Sequence, residues 1–442
     1  MSTLKQNRRK FLKKTSLGLL GAGIINGRVV ASNKKDTKQE PLKIKDYRIL
    51  GRTGFKVSDI GMGNVTNEAV IGALLNSGLN YIDTSGWYQN GNGERIFAKA
   101  IEGFDRNKIF ISTKIMSDTV PWSSKKEVIK KVYESLDRLR TDYIDCLMIH
   151  AASDTEIIKN KYFHSAMESL RKEGKIRHVG VASHGNSNMA SGKKDTMEEI
   201  ILSSIEDGRF DVILFIYNYA SRNIGERILE QSDKHNIGTT IMKSNPLKYY
   251  ASAKQILENQ DNLSADEKKY FSQLVRFSEE AKLFFEINNL KSDDGTFRDL
   301  SIPYVLSNSN VGTVLYAFQN FNDIDKVLSL SGKKLSIDQK NSIANLIDSY
   351  GQIHCRLGCG ICEAKCPNNV PVNTIMRYNY YFTVKGEEKN AMQLYGKLSG
   401  NKPDMCIDCE GYCEKSCPYN VMIRPLLSIA HKNLTLNSSL YT

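Results

Sequence analysis

The chain has 442 residues, 61 Lys+Arg against 49 Asp+Glu for a formal charge of +12, 40% hydrophobic residues and nine Cys. That composition is ordinary for a globular protein and excludes a disordered or fibrous chain. No apolar run approaches the roughly 18–20 residues of a membrane span, so no integral membrane span is expected.

A charge of +12 would suit a nucleic-acid or membrane-surface protein, but its position argues otherwise. Residues 1–45 carry twelve basic side chains and two acids, Asp36 and Glu40, a net of 12 − 2 = +10, which leaves +2 for the rest. The excess belongs to a tail and not to a basic face of the fold, and no nucleic-acid partner is expected. Within the tail, Arg8-Arg9-Lys10-Phe11-Leu12-Lys13 is a basic n-region, Ser16 to Ile25 is a short Gly-interrupted apolar stretch, and Val29-Val30-Ala31 offers small residues for cleavage. This is the layout of an export signal, and the paired arginines followed by Phe-Leu-Lys resemble the twin-arginine type. A periplasmic location follows, with the twin-arginine export machinery as a partner. The expected boundaries are a signal over 1–31, a polar linker over 32–45, a barrel over 46–350 and a cysteine-rich domain over 351–442.

From Tyr47 to Tyr350 short β-type runs alternate with longer amphipathic segments. A hairpin, RILGRTGFKVS, comes first, with Gly51 and Gly54 at its turn. Strands are predicted at Ser58–Gly61, Asn80–Asp83, Lys108–Lys114, Tyr143–His150, His178–Ala182, Phe210–Phe215, Ile237–Met242 and Gly312–Tyr316. Helical patterns lie between them, including Lys125–Leu139, Lys159–Glu173 and Met197–Asp207. Eight β/α repeats in about 300 residues predict an α/β fold, a (β/α)8 TIM barrel.

Catalytic residues of such barrels sit at the C-terminal ends of strands. The second predicted strand ends at Asp83, with Trp87 and Tyr88 in the loop beyond; the third ends at Lys114 and the fourth at His150. The set makes chemical sense. A Tyr hydroxyl can protonate a carbonyl oxygen while hydride arrives at carbon. A neighbouring Lys ammonium is expected to lower the Tyr pKa from about 10. Asp83 would place Lys114, and His150 would hydrogen-bond the carbonyl oxygen. Trp87 and Trp122 are candidate substrate-pocket residues. The long segment from Asn245 to Gly295 is expected to be either a lid or a surface decoration.

Eight of the nine cysteines fall between 355 and 417 in two runs, Cys355-x3-Cys359-x2-Cys362-x3-Cys366-Pro and Cys406-x2-Cys409-x3-Cys413-x3-Cys417-Pro. Zinc would accept separated pairs, and an exported chain can carry disulfides. A tight run of three Cys with a fourth before Pro is instead the iron–sulfur pattern, and it occurs twice. Two [4Fe–4S] clusters are expected in a ferredoxin-like domain. In two-cluster ferredoxins the fourth Cys of each run ligates the other cluster. That rule groups Cys355, Cys359, Cys362 and Cys417, and separately Cys406, Cys409, Cys413 and Cys366. Each run has x3 where the common bacterial form has x2, which leaves uncrossed pairing open. The aromatic stretch Tyr378 to Phe382 between the runs reads as packing. The twin-arginine route carries folded proteins, so clusters could be built before export.

The stretches YRILGRTGFKVSDIGMG, GLNYIDTSGWYQNGNGERIFAKAI, IFISTKI, DYIDCLMIH and GKIRHVGVAS resemble the aldo/keto reductase family over about residues 47–330. The resemblance implies a catalytic tetrad of Asp83, Tyr88, Lys114 and His150, and an extended NAD(P)H with contacts at Ser183, Met242, Lys243, Ala317, Gln319 and Asn320. This sequence departs from the family pattern at Ala182, at Leu214 and in the phosphate loop Tyr316–Asn320, which lacks a basic residue. The tail and cysteine domain are similar to an exported, ferredoxin-fused subgroup. The implied function is an exported oxidoreductase of a small carbonyl or alcohol, passing electrons to a partner protein. Two alternatives remain: a non-catalytic barrel serving as scaffold of an electron-transfer complex, and a cytoplasmic reductase with a basic arm.

Overall fold

The computed structural model describes residues 42–116, 122–185, 195–246, 263–287 and 297–435. The expected signal, 1–31, lies outside them. A two-stranded hairpin, β1 (Tyr47–Ile49) and β2 (Lys56–Ser58), precedes eight parallel strands. These are β3 (Ile60–Met62), β4 (Tyr81–Asp83), β5 (Phe110–Met116), β6 (Ile144–His150), β7 (Ile176–Ala182), β8 (Val212–Ile216), β9 (Gly238–Met242) and β10 (Thr313–Tyr316). Each pairs with the next, and β10 pairs back onto β3 to close the barrel.

The outer helices are α1 (Glu68–Asn76), α2 (Asn92–Ala100), α3 (Lys125–Leu139), α4 (Lys161–Lys172), α5 (Met197–Asp207), α6 (Arg222–Lys234), α7 (Ala265–Ile287), α8 (Arg298–Leu306), α9 (Phe321–Leu328) and α10 (Ile337–Ser349). In α3, Val128, Val132, Leu136 and Leu139 form the buried stripe that a period of 3.6 dictates. Ser124 caps its start by accepting from the Glu127 amide. No described helix is long and apolar enough to cross a membrane.

The predicted first strand, Ser58–Gly61, spans two elements. Ser58 belongs to the hairpin and Ile60 and Gly61 to the barrel, with Asp59 between them. Asp59 leaves the ladder because its buried carboxylate accepts from Ser331 Oγ and the Gly332 amide, both at 2.7 Å. The hairpin closes the barrel floor. Its Leu50, Phe55 and Val57 pack on the lumen residues Tyr81 and Phe110, whose rings stack 5.3 Å apart. Gly51, at φ +47, lies so close to the start of β9 that a Cβ there would stand 2.2 Å from the Gly238 amide nitrogen.

The cysteine-rich segment is packed onto the barrel, and the residues from Leu42 onward form one compact unit. It is built of short helices and turns: α11 (Val372–Thr383), α12 (Glu388–Gly396), α13 (Tyr412–Lys415) and α14 (Ile423–Leu434), with no strand among its described residues. Its ferredoxin-like character therefore rests on cysteine spacing alone. Of the segment after β9 expected to be a lid or a surface decoration, residues 247–262 and 288–295 lie outside the described residues. Its helix α7 packs against α14, where the buried Glu267 takes Lys432 Nζ at 2.7 Å and Ser428 Oγ at 2.9 Å. Helix α11 lies on loops at the barrel's C-terminal mouth: Asn373 Nδ2 donates to the His184 carbonyl (3.2 Å) and Tyr380 Oη to that of Asn245 (3.1 Å).

Candidate active site at the barrel mouth

Tyr81, Phe110 and Cys146 face the lumen. Asp83 lies two residues beyond Tyr81, Lys114 four beyond Phe110, and His150 four beyond Cys146. Even steps keep a strand residue on one face, so all three functional side chains point into the lumen at its mouth. Strand β5 runs two residues past Lys114, which therefore sits just inside the rim. Tyr88 comes from the loop after β4. Gln89 and Asn90 behind it take left-handed conformations, at φ 51° and 54°, and turn the chain back into α2.

The four side chains meet. Lys114 Nζ donates to Asp83 Oδ2 at 2.6 Å and to the Thr84 carbonyl at 2.8 Å, with both charges buried. It stands 5.1 Å from the centroid of the Tyr88 ring. The Tyr88 and His150 rings lie edge to face at 5.5 Å. Burial, then the Lys114 and Lys243 charges, hold His150 well below the usual imidazole range, so its ring is neutral. Burial pushes Asp83 upward against the pull of Lys114.

The expected lowering of the Tyr88 pKa is not found. Burial, then the Asp83 and Glu387 carboxylates, push the phenol strongly up. The Lys114 charge is already tied to Asp83 and the Thr84 carbonyl, so Tyr88 rests as a neutral proton donor.

Sequence reasoning missed Ser85, whose hydroxyl lies 2.8 Å from His150 Nδ1 and 3.2 Å from the Lys114 carbonyl. With the Ser85 hydrogen on Nδ1, the proton of a neutral imidazole sits on Nε2, where it can be donated to a substrate oxygen; with that hydrogen on the Lys114 carbonyl, Ser85 accepts from Nδ1 instead. A strand-end Asp-Thr-Ser offered no local signal for this role. His184 was also not anticipated: its Nδ1 lies 2.8 Å from Lys243 Nζ.

The two tryptophans separate. Trp87 is 52% exposed, with its ring 6.2 Å from His150, at the edge of the site. Trp122 is buried, stacked 5.1 Å from Phe163, with its indole N–H donating to the Met116 carbonyl. Its ring faces are spent on the core and not presented to a substrate.

The residues expected to hold a nicotinamide cofactor fit it at one end. Asn64 Oδ1, Asp83 Oδ1 and Thr84 Oγ1, at the ends of β3 and β4, are buried with no hydrogen-bond partner among the described residues, so the mouth can take a polar guest. Met242 and Lys243 lie at the end of β9 beside it. Ser183 is committed elsewhere, donating to the Ala152 carbonyl at 2.9 Å and accepting from the Gly185 amide at 3.0 Å. At the other end, Asp323 accepts from the Gln319 and Asn320 amides, and Asn320 caps the amides of Asn322 and Asp323. The start of α9 thus presents a carboxylate and satisfied donors, while Ala317 adds no charge. A 2′-phosphate does not fit there as the loop stands.

None of the nine cysteines is in a disulfide. Cys355, Cys359, Cys362 and Cys417 line one cavity, walled by Val372, Val421 and Ile423. In the other set, Cys366 and Cys409 act electrostatically on Cys406, and Cys406 and Cys366 on Cys413. Burial is the main cause that lifts Cys406 to about 11 and Cys413 to about 12. No three His, Cys, Asp or Glu side chains among the described residues stand close enough to hold a single metal ion. The shared cavity holds four of the clustered thiols, Cys355, Cys359, Cys362 and Cys417.

The aldo/keto reductase family model matches residues 50–348, ending before the first clustered cysteine. An aldo-keto reductase of Bacillus subtilis is 24% identical over 332 residues, covering 69% of this chain and 94% of the relative. An oxidoreductase of the same organism is 33% identical over 150 residues, which cover 31% of this chain and only 48% of the relative. Its glyoxal reductase is 31% identical over 155 residues, 35% of this chain and 52% of the relative. Among solved structures, an aldo-keto reductase of Bacillus halodurans in its holo form shares the fold with a TM-score of 0.50, at 21% identity over 69% of this chain and 96% of that one. With the tetrad at the mouth of a closed eight-stranded barrel, the chain belongs to the aldo/keto reductase family.

Proposed function

We propose that this is an exported oxidoreductase that interconverts a small carbonyl compound and its alcohol, with Tyr88 as acid and base and with two [4Fe–4S] clusters relaying electrons to a partner protein. The observation that carries the catalytic part is the buried Lys114–Asp83 pair at 2.6 Å beside the Tyr88 ring. NAD(P)H, when bound, supplies hydride to the carbonyl carbon. Tyr88 gives its phenolic proton to the carbonyl oxygen, and His150 Nε2 donates a hydrogen bond to the same oxygen. The Lys114 ammonium stabilises the phenolate left behind, and Asp83 keeps that ammonium in place. In the reverse direction the phenolate takes the proton of an alcohol.

Two relatives are named a glyoxal reductase and a methylglyoxal reductase, so small aldehydes of this kind are the first substrates to assay. Replacing Tyr88 by Phe should abolish most of the turnover; unchanged turnover across a broad carbonyl panel would reject the mechanism.

Export is supported by Arg8-Arg9 and the apolar stretch behind them. Arg8→Lys with Arg9→Lys should then retain the protein in the cytoplasm. Free nicotinamide is not expected in a periplasm, so the cofactor would travel in tightly bound; its absence from protein purified from that compartment would count against this. The crossed cysteine sets would hold the clusters, and about eight iron and eight sulfide per chain are expected.

A scaffold role with an idle tetrad is favoured by one observation, the satisfied amides at the start of α9. Titrating cofactor fluorescence with NADH and NADPH separates the two readings, since a scaffold would quench neither.

A further inference from the structure

Four cations stand at the mouth: Lys114 of the tetrad, with Lys243, Arg377 and Lys385 beside it. Two have carboxylates. Lys114 is on Asp83 at 2.6 Å, and Lys385 is on the half-exposed Glu387 at 3.8 Å. The other two form no ion pair with a carboxylate among the described residues. Lys243 Nζ has the imidazole of His184 at 2.8 Å and the Met242 sulfur at 3.5 Å, and lies 5.6 Å from the Tyr381 ring centroid. Arg377 is 5% exposed, forms no ion pair or hydrogen bond with a described residue, and has its Nε buried without a partner. Its one ring neighbour is Tyr378, at 5.4 Å.

Helix geometry directs Arg377 toward the mouth. On α11 the positions 373, 377, 380 and 381 share one face. Asn373 binds the His184 carbonyl and Tyr380 the Asn245 carbonyl, so that face lies on the barrel loops that carry His184 and Lys243. Arg377 sits one turn from each anchor, between them. Its positive field, with that of Lys243, helps hold His184 neutral. Burial, then the Arg377 and Lys385 charges, push Lys243 well below the usual lysine range against the weaker pull of Glu387. An anion held between Lys243 and Arg377 would offset that cost, and a guanidinium is shaped for bidentate binding of an oxyanion.

We propose that Arg377 and Lys243 form an oxyanion site above the tetrad, the cysteine-rich segment supplying the guanidinium and the barrel the ammonium, and that the preferred carbonyl substrate carries a carboxylate. This rests on the reductase reading given above. The cysteine-rich segment is then part of the substrate site as well as the carrier of the thiols.

The test uses the full chain as purified and a matched pair of probes, 4-carboxybenzaldehyde and benzaldehyde. Arg377→Gln should lower the ratio of their kcat/KM values about 10- to 100-fold, as expected for losing a charge-assisted pair, mainly through KM for the carboxylated probe. Arg377→Lys should restore part of it. An unchanged ratio, or a loss confined to nicotinamide binding, overturns the proposal; the latter would mean that the anion is a cofactor phosphate. Calorimetric binding of benzoate is independent of turnover. It should persist in Tyr88→Phe and weaken in Arg377→Gln, with circular dichroism checking that both variants fold. Benzoate binding that is absent from the unmodified protein overturns the anion site even if reduction proceeds. Benzoate binding with Tyr88-independent turnover rejects only the reductase mechanism.

Discussion

The floor and the mouth of the barrel are built from the same strands, two to four residues apart, and obey opposite rules. At the floor Tyr81, Phe110, Phe55 and Leu50 fill the lumen with apolar surface. At the mouth Asp83, Lys114 and His150 take the corresponding positions, with unpartnered oxygens at Asn64, Asp83 and Thr84. The floor is filled by the chain's own rings, although the Tyr81 hydroxyl is likewise buried with no hydrogen-bond partner among the described residues. The mouth holds polar groups out of water and leaves some unsatisfied, a cost that persists because a substrate can relieve it. Stability and function are thus segregated along each strand.

The sharpest break of this comparison is Tyr88→Phe, which removes the reacting proton and should cut kcat by about 10²- to 10⁴-fold with little change in melting temperature. Steady-state rates beside a thermal melt check both halves. Lys114→Met leaves Asp83 as an uncompensated buried charge; about 3–5 kcal/mol of stability should go with the activity, as measured by urea unfolding. At the floor, Phe110→Ala should cost a similar 3–5 kcal/mol through cavity formation. There the KM of the surviving enzyme should hold, because the mouth does not depend on that ring.

Acid should weaken the mouth. His150 and His184 are held below 6.5 when folded. Above pH 6.5 both states are neutral and nothing changes. Below it the unfolded chain binds protons that the folded chain refuses. Stability then falls by up to about 1.4 kcal/mol per pH unit for each ring until the folded pKa is reached. The drop in urea midpoint between pH 7.5 and 5.5 should be smaller in His184→Asn than in the parent. The smallest effect is expected from Ser85→Ala, which frees the His150 tautomer at about 1 kcal/mol. Its mark would be a several-fold lower kcat with unchanged folding.

Much of this was legible in the sequence because it is local. Period two marked the strands within about two residues, and the three strand-end residues followed from counting along them. Where Asp59 divides the first strand, the reason lies 272 positions away at Ser331. Trp122 looked like a pocket residue because it follows β5 in sequence, yet its ring partner Phe163 lies on α4. The cysteine runs pointed to a metal cluster by spacing alone, while the meeting of Cys417 with Cys355, Cys359 and Cys362 at one cavity required the fold.

By itself the sequence determined the strand faces, the tetrad and the two thiol runs, because each depends on backbone periods of two or 3.6 or on short spacings. Only the tertiary structure decided that Tyr88 rests protonated, that Ser85 meets His150 Nδ1, and that α11 brings Arg377 to the mouth. Those properties arise from burial and from charges on distant segments, and both act through space rather than along the chain.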